Sequence, residues 1–363
     1  MPLPLNNLSA FHNDVFQETQ LGQLCGRKEL FRERYLILRM LGRGGFGVTF
    51  LARDWSLPGK PLCAIKQLCP RVSAPSALET ARRRFQREAK VLALLGSHSR
   101  IPSLLDYFVL EEEFYLIQEY VRGMTLARLI RRYGCQSETV VKNWLREMLL
   151  LLEYVHSNGA IHRDIKPQNV IRCEDDGRLV LIDFGAVKEQ LVKVLELSTK
   201  CTTTHFVGTA GFAPPEQMAL RPVYGSDLYA LGMTCLYLLS GKAPLEFDRD
   251  RMSSNVQWRT SEGFRGTERI ALSKSFSTIL DKMLEPSLQR RYQSAAEILA
   301  DLDSLLPRDD LFRCLNQAPA PPKEEPPSVV EHLSSIERMA RSIRESKARR
   351  DRKTPKQNLP RTC

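Results

Sequence analysis

The stretch that decides the fold is His162-Arg163-Asp164-Ile165-Lys166-Pro167-Gln168-Asn169. It joins a strongly periodic helix over 139–156 to a hairpin whose arms are 170–173 and 179–182, turning at Asp176-Gly177. A loop held at both ends by regular structure is a position suited to chemistry. Asp164 can accept a proton from a hydroxyl, Lys166 can neutralise a transferred phosphate, and Asn169 can hold a metal ion through its amide oxygen. Four specified residue types at this spacing arise by chance on the order of 10⁻³ times per chain. Asp183-Phe184-Gly185 follows at the end of the second hairpin strand. A carboxylate there is a natural Mg²⁺ ligand, because Mg²⁺ takes one or two carboxylates plus phosphate oxygens. Standing alone, the same triplet reads as a strand-ending turn.

Working upstream, short apolar runs at 35–41, 48–52, 62–68, 104–109 and 114–120 predict strands. A helix is predicted over 77–95, with Phe85, Ala89, Leu92 and Leu95 at helical spacing. Gly42-Arg43-Gly44-Gly45-Phe46-Gly47-Val48 lies between the first two strands. Glycines let a backbone approach phosphates closely, but three at this spacing occur about once in ten chains of this length. A strand rather than a helix follows, so the flanks favour a glycine-rich hairpin over a dinucleotide-binding turn. Lys66, in Ala64-Ile65-Lys66, faces solvent or a specific anion; taken alone, the solvated reading is the commoner one. Downstream, helices are predicted over 139–156 (Ser137 as N-cap), 227–240, 276–284 and 294–305, and packed structure is expected to end near Leu306. Residues 1–30 show no clear periodicity.

Composition narrows the class. The chain has 363 residues, 43% hydrophobic and 26% charged, which excludes a wholly disordered or collagen-like protein. Nine scattered cysteines with no C-x-x-C fit a reducing compartment rather than a disulfide scaffold. The net charge of +11 is concentrated in residues 338–363, which hold 10 basic and 2 acidic residues. The first 337 residues hold 43 and 40, so the body is nearly balanced. No secretory leader is evident and no apolar run approaches the roughly 20 residues of a bilayer span. A soluble, cytoplasmic chain is expected, with peripheral membrane attachment as the variant its tail permits.

The order and spacing of these motifs resemble the catalytic domain of eukaryotic-like protein kinases, over about three-quarters of the chain, Tyr35 to Leu306. Further residues agree. Glu88, on the helix after Lys66, resembles the glutamate that pairs with the strand lysine. Asp227 resembles the aspartate that props the catalytic loop. Arg291 resembles the late arginine that pairs with the glutamate of an A-P-E motif, written here Pro214-Pro215-Glu216. Gly44 to Asp54 and Gly208 to Gln217 are similar to cyanobacterial serine/threonine kinases. Leu24-Cys25-Gly26 resembles the end of the zinc ribbon that precedes many of those domains, but one cysteine before Cys63 cannot make a tetrahedral zinc site. Residues 1–34 are therefore expected to be a degenerate ribbon remnant.

The resemblance implies an α+β, two-lobed fold: a small lobe over 35–119, an antiparallel sheet with one helix, and a mainly helical large lobe over 122–306. ATP and Mg²⁺ are the implied ligands. Leu41, Gly42, Gly44 and Gly47 would cover the phosphates; Lys66, held by Glu88, would contact the α- and β-phosphates. Val48, Ala64 and Ile171 would sandwich the adenine, which would bond the backbone of Glu119 and Val121 after Gln118. Cys63, where valine is common, would stand beside that pocket. Asn169 and Asp183 would hold Mg²⁺, Asp164 would orient a protein serine or threonine hydroxyl, and Lys166 would offset charge. A pseudokinase scaffold of the same fold is the rival; the complete set of Lys66, Glu88, Asp164, Asn169 and Asp183 argues against it.

Two regulatory expectations follow. The segment from Asp183 to Glu216 holds Ser198, Thr199, Thr202, Thr203 and Thr204, and Arg163 precedes Asp164, so autophosphorylation within 199–204 is expected. Thr209 is set apart as a contact of the catalytic aspartate and lysine in similar kinases. Residues 307–328, with five prolines between Gln317 and Ser328, read as an extended linker. Val330, Leu333, Ile336, Met339 and Ile343 make an apolar stripe on a basic tail over 329–363. That tail reads equally as a solvated, mostly disordered segment; as an amphipathic helix it suits an acidic protein partner or the kinase body, and an anionic membrane surface is less favoured because the stripe lacks Trp and Phe. No specific nucleic acid is expected.

Overall fold

The computed structural model describes residues 13–43, 47–68, 75–110, 113–184, 188–189, 209, 211–250, 253–259 and 272–305. All belong to the first of the chain's two units, Met1–Ala318; the second is Pro319–Cys363. The linker, the basic tail, the Ser198–Thr204 cluster and Gly44 lie outside the described residues.

The small lobe runs α1 (Asn13–Glu18), α2 (Gln20–Leu24), β1 (Leu30–Phe31), β2 (Tyr35–Arg43), β3 (Gly47–Asp54), β4 (Leu62–Leu68), α3 (Pro75–Leu95), β5 (Leu104–Leu110) and β6 (Glu113–Glu119). Its six strands pair antiparallel throughout, in the order β1-β2-β3-β4-β6-β5. Side chains alternate across a strand, so each strand serves two faces. Ile37, Val48, Phe50, Ala52, Cys63, Ile65, Tyr115 and Ile117 build an outer cluster. Leu68, Leu116 and Phe114 pack on the other side with Phe85, Leu92 and Leu95 of α3.

The segment ahead of Tyr35, where no periodicity is visible, caps the outer cluster. Val15, Leu21 and Phe31 are buried in it, and the Phe31 ring lies 4.9 Å from Tyr115. Burial of Val15 and Leu21 contributes on the order of 3–6 kcal/mol as an upper bound. The buried Thr19 hydroxyl donates to the Val15 carbonyl at 2.7 Å and accepts from the Gly22 N–H at 3.0 Å, joining the two helices. A Cβ at Gly22 would stand 2.2 Å from the Val15 carbonyl oxygen, so only glycine lets α1 and α2 meet this closely. Cys25 terminates α2 as its C-cap. The packed small lobe therefore begins well before Tyr35.

The large lobe runs β7 (Gly123–Thr125), α4 (Leu126–Tyr133), α5 (Glu138–Ser157), β8 (Ala160–Ile161), β9 (Val170–Cys173), β10 (Leu179–Leu181), β11 (Lys188–Glu189), α6 (Pro215–Met218), α7 (Tyr224–Ser240), α8 (Lys274–Met283) and α9 (Ala295–Asp303). A 3₁₀ turn, Pro244–Glu246, follows α7. Ser137 caps α5 as its composition predicts, its hydroxyl accepting from Val140 N–H. α7 is buried along almost its whole length and forms the lobe's centre. β9 and β10 form the expected hairpin, with Leu179 opposite Arg172 and Leu181 opposite Val170. The loop from His162 to Asn169 thus leaves β8 and enters β9, fixed by the large-lobe core on both sides.

Candidate active site

The loop is held from below by one carboxylate. Asp227, in the first turn of α7, is fully buried. It accepts from His162 N–H and Arg163 N–H at 2.8 Å each and contacts His156 Nε2 at 2.9 Å. Burial alone would raise the Asp227 pKa; the His156 contact and the neighbouring donors reverse this and hold it below the ordinary aspartate value. Arg163 has φ +66° and Asp183 φ +65°, a left-handed backbone that non-glycine residues adopt at a cost, and both flank the site.

Above this anchor the expected residues converge. Lys166 Nζ lies 2.7 Å from Asp164 Oδ2 and donates to Thr209 Oγ1 at 2.7 Å. Thr209 donates to Asp164 Oδ1 at 2.8 Å. Asn169 Nδ2 donates to the Asp164 carbonyl oxygen at 2.9 Å and to Asp164 Oδ2 at 3.0 Å. Both oxygens of Asp164 are therefore oriented.

Across the cleft, Lys66 Nζ donates to Glu88 Oε2 at 2.7 Å, to Glu88 Oε1 at 2.9 Å and to Asp183 Oδ1 at 3.0 Å. β4 positions the lysine, α3 the glutamate, and the end of the β9–β10 hairpin the aspartate. Burial disfavours the Lys66 ammonium, but the Asp183 and Glu88 carboxylates outweigh it and raise its pKa above the usual lysine value. Lys66 in turn lowers Asp183 to about 2, although that side chain is nearly half exposed. Glu88 is raised, burial outweighing the pull of Lys66. The solvated reading of Lys66 is thereby replaced by a charge triad that ties the two lobes together.

The donor set fits Mg²⁺. The amide N–H groups of Asn169 are committed to Asp164, which leaves its carbonyl oxygen for a cation. One Asp183 oxygen bonds Lys66, and its second oxygen has no hydrogen-bond partner among the described residues. Hard oxygen donors, one of them a carboxylate, match an ion whose remaining ligands come from phosphates and water.

The remaining expected residues divide by sheet face. Thr49 is opposite Lys66 and Leu51 opposite Ala64, and opposite residues in an antiparallel pair share a face. Ala64, buried, therefore lies on the cleft side of β4 with Lys66. Val48 does not: it is opposite Gln67 and buried in the outer cluster beside Phe50 and Ile65. The neighbouring β3 residue on the cleft face is Thr49, opposite Lys66, and the sandwiching role assigned to Val48 is corrected accordingly. Cys63 is corrected likewise. It is buried in the outer cluster, where burial pushes its thiol up to about 12.

Leu41 is exposed just before Gly42, and Gly42 is opposite Thr49. At Gly47 a Cβ would meet the Gln67 carbonyl oxygen at 2.5 Å, so the hairpin needs glycine there. Glu119 ends β6, its N–H donating to Ser103, and Val121 follows in the connection to β7. Ile171 is half-buried on β9, two residues beyond Asn169 and opposite Thr125.

Glu216, on α6, meets Arg291 in a two-pronged ion pair of 2.6 and 3.2 Å. Sequence reasoning missed Gln217 beside it, whose Nε2 donates to the Arg163 carbonyl at 2.6 Å and ties α6 to the loop. It also missed His156, although its position four residues before Ala160 at the end of an apolar helix was visible.

Comparison with known proteins agrees with this geometry. The model of the protein kinase domain matches residues 35–302. Serine/threonine-protein kinase B of Synechocystis sp. is 46% identical over 303 residues, covering 83% of this chain and 51% of that protein. Serine/threonine-protein kinase PknA of Nostoc sp. is 41% identical over 276 residues, covering 76% and 48%. PrkC of Bacillus subtilis is 30% identical over 286 residues. The chain spans about half the length of the two cyanobacterial relatives. With its lysine–glutamate–aspartate triad, its propped catalytic loop and these similarities, the chain belongs to the protein kinase family, among the bacterial serine/threonine kinases.

Proposed function

We propose that the protein transfers the γ-phosphoryl group of ATP to serine and threonine hydroxyls of other proteins. The observation that carries this reading is the convergence, around one cleft, of the Lys66–Glu88–Asp183 triad and the Asp164–Lys166–Asn169 network. Lys66 would bind the α- and β-phosphates, held in place by Glu88. Asp164 would orient the acceptor hydroxyl and take its proton, while Lys166 would offset charge on the phosphoryl group. Asn169 and Asp183 would hold Mg²⁺, which when bound supplies neutralisation of phosphate charge. Leu41, Gly42, Gly44, Gly47, Ala64, Glu119, Val121 and Ile171 would enclose the nucleotide, with Thr49 in the place first given to Val48. The chemistry asks for positioning and fixed charge, which this site provides.

The test is phosphoryl transfer from labelled ATP with Mg²⁺ to a protein acceptor. Lys66→Met, Asp164→Asn and Asp183→Asn should each remain folded and lose about 10²–10⁴-fold in rate. Mg²⁺–ATP should raise the melting temperature of the wild type. Stabilisation without transfer would instead identify a nucleotide-binding scaffold. Autophosphorylation within 199–204 belongs to the same proposal, since a phosphate adds roughly −1.5 to −2 charges, which an arginine such as Arg163 could pair with. Site-resolved mass spectrometry of active protein checks it, and finding no phosphate between Ser198 and Thr204 rejects it. Protein substrates are the implied partners, with an acidic protein as the favoured target of the tail and a membrane surface as the weaker one. No helix among the described residues is long and apolar enough to cross a membrane.

A further inference from the structure

Beside the catalytic loop lies a cavity of about 410 Å³ that the proposed chemistry does not use. It is lined by Thr125, Ala127, Arg128, Arg131, Arg132 and Gln168. Gln168 stands within the loop itself, between Lys166 and Asn169. The cavity wall is joined to the loop by backbone: Ala127 N–H donates to the Pro167 carbonyl at 3.0 Å. Whatever occupies the cavity is therefore held at a fixed distance from Asp164.

The chemistry of the wall is one-sided. α4 buries Leu126, Ala127, Leu129 and Ile130, which leaves Arg128, Arg131 and Arg132 exposed. From Val121 to Ser137 the chain carries four arginines and no Asp or Glu. Among the described residues no carboxylate pairs with Arg128, Arg131 or Arg132. The helix dipole accounts for basic residues in the last turn but not for Arg128. Arg128 stands in the first turn, its own N–H capped by Thr125 Oγ1 at 3.2 Å, where a cation opposes the dipole. Uncompensated guanidiniums around a concavity concentrate positive potential, and their planar forks match carboxylate and phosphate oxygens.

We propose that this cavity is a substrate-selecting subsite. It recognises an anionic side chain, carboxylate or phosphate, a few residues from the acceptor hydroxyl of a protein substrate. The proposal rests on the kinase reading above and names the substrate class of that same site. The arginines are specificity-determining residues that contact the substrate away from the reacting atoms.

The experiment uses the full chain with Mg²⁺–ATP and peptides carrying a single threonine acceptor. One flanking position at a time holds Asp, phosphothreonine, Ala or Lys. The expected order of kcat/KM is anionic above Ala above Lys, with about a tenfold span between Asp and Lys. The Asp and phosphothreonine arms show which anion is preferred. Arg128→Glu/Arg131→Glu should reverse the order, favouring Lys; if that pair fails to fold, Arg128→Gln/Arg131→Gln should flatten it. Equal kcat/KM for all peptides in a wild type that turns over would overturn the subsite and leave the kinase reading intact. A preference that survives both arginine variants would also overturn it, by placing the selection elsewhere. No transfer to any peptide or to the chain itself would overturn both readings together.

Discussion

Replacing Arg291 with methionine should strongly destabilise the large lobe. The side chain is fully buried and Glu216 is 10% exposed. Its guanidinium donates to both Glu216 oxygens and to the carbonyls of Glu285, Gly225 and Pro286. Removing one partner of such a pair leaves the other charge without compensation, at about 3–5 kcal/mol. For a domain of this size about 2–4 °C is lost per kcal/mol, so the melting temperature should fall on the order of 10 °C. The loss should reach activity as well, because Glu216 fixes α6 and Gln217 of α6 holds the Arg163 carbonyl. Melting curves and transfer assays on Arg291→Met, Glu216→Leu and the double variant form a cycle. The double variant should be far less destabilised than the sum of the singles, since no orphaned charge remains. A single-variant cost below about 1 kcal/mol, or additive costs, would refute the reasoning.

Gly22→Ala should destabilise the small lobe by about 1–3 kcal/mol, because the new methyl group overlaps the Val15 carbonyl; a melting temperature equal to wild type contradicts that packing. Val48→Ala should lower stability while leaving the KM for ATP unchanged, whereas Thr49→Phe should raise that KM; the opposite pattern would return Val48 to the cleft. Asp227 has a folded-state pKa below its unfolded value near 3.9, so the stability it confers is present above that pH and is lost as pH falls through the folded pKa. The stability gap between wild type and Asp227→Asn should therefore narrow as pH falls below the unfolded value near 3.9, and chemical denaturation above and below that pH measures it. Deleting residues 318–363 should leave the catalytic domain folded and active on a generic substrate while changing its partners; an inactive, unfolded truncation would make the tail part of the domain.

The long periodic segments were legible in the sequence. The helix expected over 139–156 is Glu138–Ser157, and the strand expected over 62–68 is Leu62–Leu68, because in each the apolar spacing and the local signals agree. Motif spacing also placed Lys66, Glu88, Asp164, Lys166, Asn169 and Asp183, which the fold brings to one cleft. Val48 and Cys63 went astray by one residue each. The two-residue period of a strand carries the correction: if Lys66 faces the cleft then Ala64 does and Cys63 does not, and the residue opposite Lys66 is Thr49. α1 and α2 were not legible, since helices of six and five residues are too short to show a period. Their burial depends on the sheet beneath them. α4 escaped for a related reason: eight residues with four buried and three arginines show their two faces only once the loop beside them is placed.

The cover that α1 and α2 place over the sheet makes Cys63 a natural reporter. With 1% of its surface exposed and its thiol pushed up to about 12, the sulfur is closed to alkylating reagents in the docked state. Its modification rate, read at that one peptide by mass spectrometry, then counts the openings of the outer cluster. Cys135, exposed at the far end of α4, supplies the reference rate in the same molecule. The lobe thus carries its own clock for local unfolding, with no label to introduce.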